Sequence, residues 1–444
     1  MDSKTKNPGI KAAAINLFTK GKLADDLEIK TADTINYLKR IIYCNEIEAK
    51  QKRLIFVSGV AGSGKTMAAL KLLYDYNLYK LEEYQQDLAG IYVSRNKMLI
   101  SELKKVLAKR NTKLKENAKD YVRTLADYKW EHMNNPKLPK ENVVIFDDAQ
   151  RARDGKKIKS SDSEADFILK NGHKIYQRKG NVSIICFIDE GQSIYLGEEE
   201  GIKLWDKSLG NSWINQWHVY APAKYEDLFQ EADSLTINNS LELATSLRSN
   251  CIDSNAWIEN LLAGDLVATK ASLIKMIEQG FMIRITRDFA KAKEFIKEQA
   301  KKSQDLNYGL LISSKARQRE IRYQINGGRY FGSYLEEDEV KQWFAGENKE
   351  LETGASEFAC QGLELDFPLV CFGGDYYYNG QEWEIEENVK AYHAHKYHDF
   401  EQIVENIYRV LLSRACQGMV LYIPKLDRLD QTYQLFLELG ISEI

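Results

Sequence analysis

The chain has 444 residues, 44% of them hydrophobic and 29% charged, with a formal net charge of −3. That length sets an expectation of two or three domains with separate cores, and the composition is ordinary for a globular protein. A balance so close to neutral excludes a globally basic, histone-like binder, although it allows a locally basic groove.

The opening MDSKTKNPGIK is too polar for a secretory signal, and no stretch approaches the roughly 18 apolar residues of a membrane span. No membrane partner is therefore expected. The six cysteines contain no CxxC pair, and several sit in apolar runs such as SIICFI, so the expectation is a reduced, cytoplasmic protein.

Residues 1–45 read as a helical extension. A first lobe is expected over 46–240, and a second over 241–444 with an insertion at about 255–350. The strongest local signal is LIFVSGVAGSGKTMAALKLL, residues 54–73. LIFV is a short apolar strand, MAALKLL continues at helical spacing, and Gly59 to Thr66 between them matches GxxxxGK[ST]. In such a loop Gly59, Ala61, Gly62, Ser63 and Gly64 let backbone N–H groups curl around phosphate oxygens. Lys65 reaches the terminal phosphates, and Thr66 can hold Mg²⁺ at the positive end of the helix. The bland alternative, a chance glycine-rich turn, gives way to the agreement of motif and context. A nucleoside triphosphate with Mg²⁺ is the implied ligand.

Next comes IYVSRNKMLISELKK (91–105), and then the lysine-rich 101–123, which could neutralise the phosphates of a single strand or simply be a solvated helix face. VVIFDDAQRAR (143–153) is an apolar strand ending in two acids. Phosphoryl transfer needs one carboxylate on Mg²⁺ and another group to orient the attacking water. Asp147 is assigned the first role and Asp148 the second; the alternative is a solvated acidic turn. A further basic stretch covers 151–180, with Arg151 and Arg153 at its start.

VSIICFIDEGQSI (182–194) repeats the strand-then-acid pattern and carries Gln192, whose amide could sense the γ-phosphate; the alternative is a strand simply capped by polar residues. Tyr195, Trp205, Trp213 and Trp217 could stack bases, but are read first as core anchors. In the second half, SLELATSLRSN carries Arg248, FACQGLELDFPLVCFGGD carries Gln361, Gly362 and Glu364, and IYRVLLSRACQGMVLYIP carries Arg414. Arginines so far along the chain invite the reading of γ-phosphate fingers from a second lobe, against the commoner surface ion pair. The histidines of YHAHKYHDF (392–400) lack the spacing of a helical zinc pair and are expected on a solvated helix face.

Taken in order, these segments resemble superfamily 1 helicases, and more closely the Schlafen-like DNA/RNA helicase family of bacterial proteins. GVAGSGKT, IYVSRNKMLISELKK, IFDDAQRA, FIDEGQSIYLGEEEGIKLW, SLRSN, QGLELDF and YRVLLSRA are similar to its successive motifs. The resemblance implies an α/β fold of two RecA-like P-loop lobes with parallel sheets. It also implies phosphate and Mg²⁺ binding by Gly64, Lys65, Thr66 and Asp147, coupling through Gln192, and γ-phosphate contacts by Arg248 and Arg414. Gln361, Gly362 and Glu364 would touch nucleotide or the nucleic-acid backbone. Two departures stand out. Leu247 replaces a common adenine-stacking tyrosine, which leaves the base preference open, and Asp148 is one CH₂ shorter than the usual glutamate.

The implied function is a nucleic-acid-dependent ATPase, helicase or translocase-like motor on single-stranded DNA or RNA, in bacterial defence or DNA processing. The alternative is an NTP-gated regulatory subunit that switches a partner effector such as a nuclease without translocating. A small-molecule kinase is a third reading, disfavoured by the two arginine-bearing motifs in the second half.

Overall fold

The computed structural model describes residues 10–43, 50–60, 62–85, 89–108, 118–134, 139–155, 162–189, 200–211, 216–244, 254–302, 306–316, 347–360, 365–393 and 399–444. Two compact units divide the described residues, the first comprising those up to 244 and the second those from 254 onward.

The first unit alternates strands and helices. Its elements are α1 (Ile10–Lys20), α2 (Asp25–Tyr43), β1 (Gln51–Gly59), α3 (Lys65–Tyr84), β2 (Gly90–Ser94), α4 (Lys97–Leu107), β3 (Val122–Thr124), α5 (Leu125–Asn134), β4 (Val143–Phe146), α6 (Glu164–Lys179), β5 (Asn181–Asp189), α7 (Lys203–Leu209), β6 (Trp217–Ala221), β7 (Ser234–Ile237) and β8 (Glu242–Leu243). All strand pairs are parallel, in the order β3-β2-β4-β5-β1-β6-β7, with β8 against the end of β1. Continuous apolar runs such as LIFV and SIICFI suit such a sheet, because helices cover both of its faces. One face packs Ile55, Val57, Ile145 and Phe187 beneath Leu17, Phe18, Leu38, Leu70 and Leu73 of α1, α2 and α3. The other packs Leu54, Phe56, Val144 and Ile184 against Ile168, Leu169, Leu204 and Trp205 of α6 and α7. The N-terminal helices thus belong to the core of this unit and are not an appendage to it.

The second unit contains α8 (Ser254–Leu262), α9 (Leu266–Glu278), β9 (Met282–Thr286), α10 (Phe289–Lys302), β10 (Leu310–Ile312), β11 (Gly354–Ala355), β12 (Leu369–Cys371), the hairpin β13 (Tyr376–Tyr378) and β14 (Trp383–Ile385), β15 (Gly418–Tyr422) and β16 (Ser442–Glu443). Its main sheet is also parallel, ordered β11-β10-β12-β15-β9-β16. The fold class is therefore α/β with a parallel sheet in each unit, as expected.

Two expectations fail here. Residues 255–312 were expected within an insertion, yet they supply β9 and β10, and β9 pairs with both β15 and β16 inside the sheet. Residues 317–346 lie outside the described residues. The histidine cluster was expected on a solvated face, but His393 is buried and stacks on Phe400 at 4.8 Å between ring centroids. His395 and His398 lie outside the described residues. Among the described residues no helix is long and apolar enough to cross a membrane.

Helix α6 illustrates how closely the layers meet. It starts in a capping box between Ser163 and Asp166 and stops at Gly180, whose φ of 78° suits glycine. Midway, a Cβ on Gly172 would lie 2.7 Å from both Ile184 on β5 and Trp217 on β6. Helix propensity alone would make Gly172→Ala stabilising by about 1 kcal/mol. Overpacking should win instead, so chemical denaturation of this variant should show a loss of about 1–3 kcal/mol.

Candidate functional site

The site is built outward from the end of β1. Gly59 pairs in register with Asp189 of β5 and Leu243 of β8. A Cβ on Gly59 would fall 2.5 Å from Ser63 Oγ and 2.9 Å from Leu243 Cβ, so only glycine lets the loop fold this tightly. Gly62 (φ 76°) and Gly64 (φ 88°) then take left-handed backbone, which glycine adopts without a steric penalty. Gly64 caps α3 with no side-chain hydrogen bond to its first turn, leaving N–H groups and the positive end of the helix dipole for an anion.

The buried Lys65 Nζ donates to its own loop, to Gly59 O at 2.6 Å and Val60 O at 2.7 Å. Buried Ser63 Oγ has no hydrogen-bond partner among the described residues. A loop with a folded-back lysine, an orphaned hydroxyl and an uncapped helix start matches what phosphate oxygens require.

The second component comes from β4. Its chain continues past Phe146 so that Asp147 N donates to Val93 O of β2 at 2.9 Å, which places the Asp147 carboxylate beside α3. Thr66 Oγ1 donates to Asp147 Oδ2 at 3.0 Å, and Tyr92 Oη donates to the same oxygen. Asp148 follows in left-handed backbone (φ 58°) and gives its N–H to Asp147 Oδ1 at 3.2 Å. The Asp148 carboxylate faces Arg151 at 3.7 Å. Trp205 Nε1 fixes the turn from below by donating to Ala149 O at 2.9 Å. Burial, reinforced by the neighbouring Asp148 charge, pushes the Asp147 carboxyl up to about 7, although the Tyr92 and Thr66 hydroxyls favour its ionised form.

Among the described residues no group of three or more His, Cys, Asp and Glu side chains could hold a metal ion. A divalent cation here would therefore draw on the Thr66 hydroxyl, Asp147 and oxygens brought by a ligand. That donor set fits Mg²⁺, which is usually held by one or two carboxylates plus phosphates.

Thus Gly59, Gly62, Ser63, Gly64, Lys65, Thr66, Asp147 and Asp148 converge at one end of the first sheet. Ala61, Gln192, Arg248, Gln361, Gly362 and Glu364 lie outside the described residues. Arg414 belongs to the second unit, where it is buried, with Nε donated to Val410 O at 3.0 Å and Nη2 to Ser413 Oγ at 2.8 Å. Arg151, expected to begin a basic surface, is buried and turned toward Asp148. Trp205 and Trp217 are core residues, while Tyr195 and Trp213 lie outside the described residues. Helix α4 buries Ile100, Leu103, Val106 and Leu107 and exposes Lys97 and Lys105. Sequence reasoning missed Tyr92. Its only signal was a tyrosine inside an apolar run, which needs some partner for its hydroxyl without indicating which.

The family profile "Schlafen group 3, DNA/RNA helicase domain" matches residues 52–425. Among solved structures, the chain is similar to the Hef helicase domain of Pyrococcus furiosus, at 12% identity and a TM-score of 0.36, over 89% of this chain and 97% of that one. It is also similar to arterivirus nonstructural protein 10, a helicase solved in complex with DNA, at 11% identity and a TM-score of 0.34, over 88% of this chain and 63% of that one. No curated protein matches.

The raised Asp147 carboxyl has a consequence for stability. The folded chain holds that proton more tightly than the unfolded chain does, so stability falls as pH rises from the ordinary aspartate range toward about 7. In EDTA at about pH 8, Asp147→Asn should therefore be more stable than wild type by on the order of 2 kcal/mol, with the gap closing near pH 5. Thermal melts at the two pH values check this; an asparagine variant less stable than wild type at the higher pH would contradict it.

Proposed function

Because the chain belongs to the Schlafen group 3 DNA/RNA helicase domain family, we propose that it is an ATP-hydrolysing motor acting on single-stranded DNA or RNA. The observation that carries this reading is the meeting of the glycine loop, Lys65 and Thr66 with the Asp147–Asp148 pair at one sheet end.

In this mechanism the loop amides and the start of α3 bind the phosphates of ATP. Lys65 exchanges its two carbonyl partners for phosphate oxygens. Thr66, already committed as a donor to Asp147, keeps its oxygen lone pairs for a cation. Mg²⁺ bound there would neutralise charge on the phosphates during transfer. Asp148 orients the attacking water and accepts its proton, and its left-handed backbone sets the carboxylate apart from that of Asp147. On this reading the turn geometry has to offset the shorter reach of aspartate relative to glutamate.

The proposed first lobe, residues 46–240, carries this machinery and the proposed second lobe, 241–444, supplies Arg248 and Arg414 to the γ-phosphate. Arg414 would have to give up its bonds to Val410 and Ser413 to do so. Gln192 couples phosphate loss to the nucleic-acid surface, to which the exposed lysines of α4 contribute. Gln361, Gly362 and Glu364 complete the contacts to nucleotide or strand.

ATPase rate measured with and without single-stranded nucleic acid over a salt series tests the proposal. Stimulation that fades steeply with added salt is expected, since phosphate contacts release counterions. A rate indifferent to nucleic acid, and changed only by a protein partner, would replace the motor with a switch. Lys65→Ala should abolish turnover. Asp148→Asn should retain ATP binding while kcat falls by about a hundred- to ten-thousand-fold; normal turnover in either variant would remove the assignment.

A further inference from the structure

Tyr92 lies in β2, in register with Ile145 of β4, on the sheet face covered by α3. Its side chain is fully buried, and its hydroxyl donates to Asp147 Oδ2, the oxygen that also accepts Thr66 Oγ1. A carboxylate oxygen has two in-plane lone pairs, so these two donors saturate Oδ2. Oδ1 receives only the longer bond from Asp148 N among the described residues, and it keeps a lone pair free. The hydroxyl thus fixes the plane of the carboxylate and decides which oxygen remains available.

We infer that Tyr92 is a positioning residue for the metal-side acid, turning Asp147 so that Oδ1 faces the cation site while Oδ2 holds the Thr66 hydroxyl in place. The inference rests on the reading of Asp147 as the acid on the Mg²⁺ side. It adds a strand that touches neither phosphate nor metal to the machinery of the site. Partners that orient a metal's carboxylate ligand typically change metal affinity by about 10- to 100-fold when removed.

Tyr76 provides the comparison for a merely structural role. It is equally buried in the same core, but its hydroxyl donates to a neutral partner, Asn142 Oδ1, at 3.0 Å.

The experiment measures Mn²⁺ binding to the full chain with ADP, by electron paramagnetic resonance, with ADP affinity in EDTA alongside. Tyr92→Phe should weaken Mn²⁺ binding by about 10- to 100-fold and leave metal-free ADP binding unchanged. Tyr76→Phe should change neither. If Asp147→Asn weakens Mn²⁺ binding and Tyr92→Phe does not, the inference alone is overturned. If Asp147→Asn has no effect, the site reading falls and takes the inference with it. Equal weakening by both tyrosine variants would mark Tyr92 as structural. Should Tyr92→Phe fail to fold, a ring-fluorinated tyrosine at position 92 gives a second readout. Its fluorine resonance should shift with Mg²⁺ and ADP but not with ADP in EDTA, and an unmoved resonance would overturn the proposal.

Discussion

The site depends on one costly contact: two adjacent carboxylates at the end of a buried strand, the first of them almost wholly removed from water. A lone buried anion is strongly disfavoured, and a second beside it makes matters worse. Here Asp147 is tolerated because two hydroxyls and a backbone amide converge on it. A divalent cation would relieve what those donors do not. Burial and the adjacent Asp148 charge together hold the Asp147 carboxyl well above the ordinary aspartate range.

Sheet order does the assembling. Thr66 and Asp147 are distant in sequence, and the strands before them, β1 and β4, are separated by β5. The parallel arrangement sends the C-terminal ends of β1, β2, β4 and β5 to one edge, where ligands of such sheets bind. The layers beneath are rigid in a specific sense, since Gly172 meets Ile184 and Trp217, and Trp205 reaches Ala149. Through Trp205, α7 is tied directly to the acidic turn.

The parts of this that could be read from residues alone were those in which spacing translates directly into backbone. The glycine loop is of that kind, because positive φ at Gly62 and Gly64 is a local requirement. So is the acid at the end of VVIF, because a strand end at a sheet mouth needs no knowledge of its neighbours. Tyr92 was not legible, since its partner depends on which strand lies beside β2. The segment 255–312 was misjudged because a strand as short as Leu310–Ile312 carries little periodic signal beside the longer α10. His393 went astray for a related reason: it packs on a ring further along the chain, Phe400, which its own helix pattern does not announce.

The central claim is that the glycine loop and the Asp147–Asp148 turn form one nucleotide site. A crystal structure with a non-hydrolysable ATP analogue and Mg²⁺ tests it most directly. The account predicts Lys65 Nζ moved from Gly59 O onto phosphate oxygen, and a cation about 2.1 Å from Thr66 Oγ1 with Asp147 turned toward it. A nucleotide bound elsewhere, or one seated on the loop with Lys65 still bonded to Gly59 and Val60, would contradict it.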